Sequence, residues 1–179
     1  MSIYPNYTAG QRLTAADLQA GQFMIAVKTS NTDRASITTL TADPDLSFAL
    51  AANAVYLVEF YLHYAALASA SAGFNTTWAV PSGASGNRSA HGLASTVSDT
   101  SSAPAGGGAG SVRSGVHGYA TAIAYGSRNS GSNQCFALEE GLVTTSSAGT
   151  CAIQWAQNVS NATATRLAAG SWARALRIS

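Results

Sequence analysis

Three histidines, eight carboxylate side chains and two cysteines are the material from which this 179-residue chain could build a reactive site. Metal ligation calls for His or Cys at close spacing, and His63, His91 and His117 show no His-x-x-x-His pattern. A hydrolytic triad needs a nucleophile, a base and an orienting acid within hydrogen-bond reach. Serines abound, but no Gly-x-Ser-x-Gly elbow stands between a strand and a helix. Glu139-Glu140 is the only adjacent acidic pair. Neighbours on a strand point to opposite faces, so these two cannot act as paired carboxylates, and with Gly141 they read as a strand bend or bulge. Asp43 and Asp45 flank Pro44 in a predicted turn and lack the ligand count of a calcium site. The glycine run at 106–110 is followed by no Gly-Lys-Ser/Thr and is no phosphate loop. The expectation is a protein that is not an enzyme, with no catalytic residues, metal ligands or cofactor.

Composition points the same way. Charged residues make up 9% of the chain, against about 25% in soluble domains. Lys28 is the sole lysine beside eight arginines. Ser, Thr, Asn, Gly and Ala must therefore cover the surface, which has little charge to keep monomers apart and is expected to be covered by other subunits. The basic residues are scattered, so nucleic acid is not an expected partner. The longest apolar run, 54–68, is broken by Glu59 and His63 and is too short to span a bilayer, so no membrane association is expected. No basic stretch followed by an apolar one opens the chain, so no secretory signal is expected. Cys135 and Cys151 fall on two predicted strands of one hairpin, but a symmetric pairing would set Cys135 opposite a residue near Asn158. Two free, buried thiols are the expectation.

The elements that would position any site are mostly strands. Residues 1–21 read as an arm with a short helix, capped by Thr14 with Asp17 three residues on and stopped by Gly21. Residues 22–179 read as one antiparallel β-sandwich. Phe23, Ile25 and Val27 alternate with Met24, Ala26 and Lys28, and Leu46, Phe48 and Leu50 alternate with small residues. The strongest strand is 55–65. Tyr56, Val58, Phe60, Leu62 and Tyr64 share one face; Val55, Leu57, Glu59, Tyr61 and His63 share the other. Both faces are largely apolar, so both need cover. One meets the opposite sheet, and a neighbouring subunit is the simplest cover for the second. Glu59 and His63 then read either as a hydrogen-bonded polar patch in an interface or as a pH-sensitive contact. Phe74, Thr76, Trp78 and Val80 alternate next, followed by a long Gly/Ser-rich loop at 82–114. A strand at 116–125, a hairpin of 134–145 with 150–158, and short strands at 162–167 and 172–178 close the chain. About eight strands spaced by turns predict an all-β, jelly-roll-like sandwich. Trp78, Trp155 and Trp172 all sit in alternating patterns that place them in the core.

Several stretches also resemble small virion proteins of tailed phages that infect high-GC Gram-positive bacteria. They include Tyr7-Thr8-Ala9-Gly10-Gln11-Arg12-Leu13-Thr14-Ala15-Ala16-Asp17-Leu18, Thr41-Ala42-Asp43-Pro44-Asp45-Leu46 and Val80-Pro81-Ser82-Gly83-Ala84. Glu139-Glu140-Gly141-Leu142-Val143-Thr144-Thr145, Gln154-Trp155-Ala156-Gln157, Ser160-Asn161-Ala162-Thr163-Ala164-Thr165 and Gly170-Ser171-Trp172 complete the set. The closing pattern also looks like trimeric jelly rolls of the complement-C1q and tumour-necrosis-factor type. The resemblance implies a minor tail or fibre protein, or a capsid decoration protein. Such a protein is made in the host cytoplasm and sits on the outer surface of head or tail. Its partners would be copies of itself, as a trimer, and the major capsid or tail proteins. Ile3, Tyr4, Pro5 and Tyr7 would form an arm that anchors to a partner. The competing reading is a carbohydrate-binding module that recognises the host wall, with exposed Trp or Tyr stacking on sugars.

Overall fold

The computed structural model describes residues 5–95 and 112–179. Ile3, Tyr4 and most of the glycine-rich stretch lie outside the described residues. The short helix α1 (Ala15–Ala20) forms where its capping pattern places it. Thr14 Oγ1 accepts from the Asp17 N–H at 3.2 Å, and the Asp17 carboxylate accepts from the Thr14 N–H at 2.8 Å. This is a reciprocal capping box with Asp in the place of Glu.

The strands, in chain order, are β1 (Met24–Val27), β2 (Thr32–Arg34), β3 (Thr41–Leu50), β4 (Ala54–Ala66), β5 (Phe74–Ala79), β6 (Arg88–Leu93), β7 (Val112–His117), β8 (Ile123–Tyr125), β9 (Ser130–Thr145), β10 (Gly149–Ala156), β11 (Thr165–Leu167) and β12 (Trp172–Arg177). Eight of them pair as a nested antiparallel series: β1 with β12, β3 with β10, β4 with β9, and β5 with β8. One long hairpin rolled over into two layers gives this nesting, which defines a jelly roll. The larger sheet runs β1-β12-β4-β9-β6-β7, with β11 and β2 attached beside β4. The smaller sheet runs β3-β10-β5-β8. The chain is thus an all-β, jelly-roll-like sandwich, as its patterning predicts.

Several local expectations are corrected. The predicted loop 82–114 contains β6 and the start of β7, which extend the larger sheet past β9. The predicted strand 116–125 is two pieces, the end of β7 and β8, joined by a turn. β9 and β10 do not form a hairpin within one sheet; the chain crosses between layers at 146–148. Periodicity marks a strand but not the sheet it joins, which explains these misreadings. Glu139-Glu140-Gly141 is no bulge: Phe60, Glu59 and Val58 pair with it in unbroken register. Gly141 instead permits close approach of the neighbouring chain, since a Cβ there would lie 2.4 Å from the Asn87 carbonyl oxygen. The bulge falls at Asp43-Pro44-Asp45, where β3 slips register against β10. β3 is an edge strand, where a proline without an N–H is tolerated.

The interior packs the inward face of β4 against the smaller sheet. Phe60 meets Trp78 edge-on at 4.9 Å, and Tyr64 stacks on Phe74 at 4.4 Å. Ala173 and Ala175 line the same interior from β12, where small side chains leave room for these rings. A buried ion pair is sealed in between the sheets as well. Glu139 accepts from Thr76 Oγ1 at 2.5 Å, Trp78 Nε1 at 2.7 Å, Tyr125 OH at 2.8 Å and the Arg88 guanidinium. Arg88 also donates to the carbonyls of Thr76 and Thr121. Arg88 and Glu139 are both fully buried, so neither charge has water as an alternative partner.

Two predictions follow from this core. Arg88→Met leaves the Glu139 carboxylate buried without its cation and lowers unfolding free energy by about 3–5 kcal/mol in urea titration; an unchanged midpoint would contradict this. Burial pushes the Cys151 thiol up from 9.0 to about 12 and the Tyr119 hydroxyl from 10.0 to about 12, and raises Tyr64 and Tyr125. Only the unfolded chain ionises between these values. Stability is therefore fully present below the unfolded values and is lost as pH rises through about 9 toward about 12. The urea midpoint measured against pH should fall across that window and be flat beneath it.

Candidate functional site

The pattern of β4 sends Tyr56, Val58, Phe60, Leu62 and Tyr64 into the core, where all are buried. Val55, Leu57, Glu59, Tyr61 and His63 lie together on the outer face of the larger sheet, as predicted. None of these five is buried, and Leu57 is 46% exposed. Backbone pairing sets them in rows with their neighbours. Val27, Trp172, Tyr61, Leu138, His91 and Ser114 form one row. Ile25, Arg174, Glu59, Glu140, Ser89 and Val116 form the next.

Tyr61 is the centre of this face. Phe136 stacks on one side of its ring at 5.9 Å and Trp172 on the other at 5.5 Å, each within 13° of parallel. Rings at these distances and angles make offset, near-parallel stacks. His63 meets Tyr61 edge-on at 5.2 Å. Arg174 binds the Glu59 carboxylate through Nη2 at 2.7 Å and Nε at 2.9 Å. Its guanidinium also lies over Phe23 at 5.1 Å. Glu59 is thus engaged in an ion pair that the sequence reading did not assign to it.

The face is broader than the pattern of β4 alone implied. Phe23, Ile25, Val27, Val112, Val116, Phe136 and Leu142 join Leu57 as exposed large apolar side chains there. The outer face of the smaller sheet differs. Its outward positions are Ser47, Ala49, Thr77, Ala79, Thr150, Ala152 and Gln154, of which Thr77 and Ala152 are buried, and it carries none of the exposed large apolar side chains among the described residues. Trp78 and Trp155 are buried as expected, but Trp172 is not: it sits half-buried on the outer face, while Ala173 and Ala175 face inward. β1 is inverted in the same sense, with Ile25 and Val27 outward and Lys28 inward. The signal for these missed residues was present. Both strands alternate large with small, and on β12 Trp172 was assigned inward because a core was assumed to take it.

Of the proposed arm, Pro5 is half-buried beside Gly21, and Tyr7 is exposed with its hydroxyl donating to the Asp17 carbonyl at 2.7 Å. Ile3 and Tyr4 lie outside the described residues. No disulfide joins Cys135 and Cys151; Cys151 is buried and Cys135 only half-buried, where both were expected buried. Among the described residues no group of three or more His, Cys, Asp or Glu could hold a metal ion. At Asp43 and Asp45 the cation position is filled by the Lys28 ammonium, which lies 3.1 Å from Asp43 and 2.8 Å from Asp45. Asp43 also accepts from Trp155 Nε1 at 3.1 Å.

No family model and no curated protein matches the chain. Among solved structures, the chain is similar to the structure of infectious bursal disease virus Gx strain, with 8% identity and a TM-score of 0.21. It is also similar to the crystal structure of the infectious bursal disease virus VP2 subviral particle, with 6% identity and a TM-score of 0.19. Each match covers 88% of this chain, which spans 36% and 37% of the respective viral chains. At such scores neither match bears on function.

The outer-face position of Trp172 has a direct optical consequence. Acrylamide should quench part of the tryptophan fluorescence of the dilute native protein, and Trp172→Phe should remove that part while leaving the light from Trp78 and Trp155. A quenchable component that survives the substitution would contradict the placement.

Proposed function

We propose that this chain is a non-enzymatic structural subunit of a tailed-phage particle, and that copies of it assemble through the outer face of the larger sheet. The observation that carries the reading is the concentration of exposed aromatic and aliphatic side chains around Tyr61, against an opposite face of alanines and polar side chains. Contiguous apolar surface of this kind marks interaction sites. The low charge of the whole chain supports the same reading. A trimer is the expected assembly and rests on the fold-level resemblance to trimeric jelly rolls. The virion role rests on the sequence resemblance, with major capsid or tail proteins as further partners on the outside of head or tail.

Host glycan binding is the competing reading, favoured by the exposed aromatic residues. It draws less support from the ring arrangement. Sugar stacking uses the flat faces of aromatic rings, and the Tyr61 ring already stacks with Phe136 and Trp172.

Light scattering on the purified chain tests the proposal. The wild type should run as an oligomer, and Tyr61→Glu or Phe136→Glu should give folded monomers, because a charge in a covered apolar face has no partner. A wild-type chain that remains monomeric at high concentration, or cell-wall pull-down that depends on Tyr61, would overturn it.

A further inference from the structure

The segment before β1 is folded on itself rather than on the sandwich. Residues 6–15 are exposed throughout. Its hydrogen bonds stay within the segment: Tyr7 to Asp17, Thr8 with Gln11, and Thr14 with Asp17. Leu13 is 47% exposed and Leu18 56%. Arg12 stands beside Leu13. Among the basic side chains described, it alone has no hydrogen bond, ion pair or aromatic partner.

A complementary loose end lies on the outer face of the larger sheet. Glu140 is directly opposite Glu59 across the β4–β9 pair. Like charges so placed repel unless a cation serves each. Arg174 serves Glu59 at 2.7 Å. Glu140 has only the His91 Nε2, 4.0 Å away, and its carboxylate is half open to solvent. Beside it Phe23, Leu57 and Leu142 wall a concavity. An apolar hollow and an underserved carboxylate thus stand side by side, matching an adjacent leucine and arginine in the N-terminal segment.

We propose that the N-terminal segment of a second copy occupies this face, with its Leu13 in the hollow and its Arg12 guanidinium on Glu140. The proposal rests on reading the face as a copy-to-copy interface and names what covers it. In its own copy the segment is exposed, so each copy has one segment to give and one hollow to receive. Such a contact saturates when two copies exchange segments reciprocally or when more copies close into a ring.

The test is sedimentation equilibrium on the full chain, comparing wild type, Arg12→Glu, Glu140→Arg and the charge-swapped double variant. All substituted positions are exposed, and far-ultraviolet circular dichroism checks that each variant folds. Each single variant should weaken self-association by at least about tenfold, and the double variant should recover to within about threefold of wild type. Leu13→Asp should weaken association in either background. If the single variants associate like wild type while Tyr61→Glu dissociates, the face is an interface but the segment does not cover it. Loss in both single variants without recovery in the double rejects the Arg12–Glu140 pair. A monomeric wild type removes the interface reading itself.

Discussion

Both faces of β4 carry large side chains, and a two-layered sandwich has a single interior. That constraint governs the rest of the molecule. The face with Phe60, Leu62 and Tyr64 takes the interior, because its rings interlock with Trp78 and Phe74 from the smaller sheet. The face with Leu57 and Tyr61 is then turned outward, and its neighbours on β1, β9 and β12 follow by the alternation of side chains along paired strands. Ala173 and Ala175 are the price on β12: small inside, so that Trp172 is outside.

The scarcity of charge makes sense in the same frame. Most of the described acids are held by a named partner. Asp43 and Asp45 hold Lys28, Glu139 holds Arg88, Asp33 holds Arg166 and Glu59 holds Arg174. Lys28 joins the end of β1 to the bulge of β3, and Arg88 joins β6 to β9 and β5. These groups act as internal ties between strands distant in sequence. A buried ion pair adds little net stability over an apolar pair, but a register that separates its partners is strongly disfavoured. Little charge is left to solubilise the surface, which fits a chain whose outer face is meant to be covered.

The fold was legible where side-chain periodicity was strong. The β4 pattern, the capping box at Thr14 and the turn-spaced strands of the C-terminal third identify the class and the central strand of the candidate site. Two things were not legible. Periodicity cannot say which face of a two-faced strand is inner, so Trp172 was read inward and lies outward. Composition cannot show a strand among glycines and serines, so β6 and the start of β7 were read as loop, although Ser89, His91 and Ser114 complete the rows of the outer face. Glu139 was hidden for a related reason. An acidic pair ahead of a glycine looks like a break in a strand until the four donors to Glu139, from three other strands, are brought around it.

The burial of Lys28 has a chemical corollary. It is the only lysine in the chain, and its side chain has no exposure to solvent. Acetylation, ubiquitin transfer and amine-directed cross-linking all need a reachable ε-amino group. In the native fold none of them has a lysine side chain to act on, so any such modification at Lys28 would report that the end of β1 had come away from the bulge of β3.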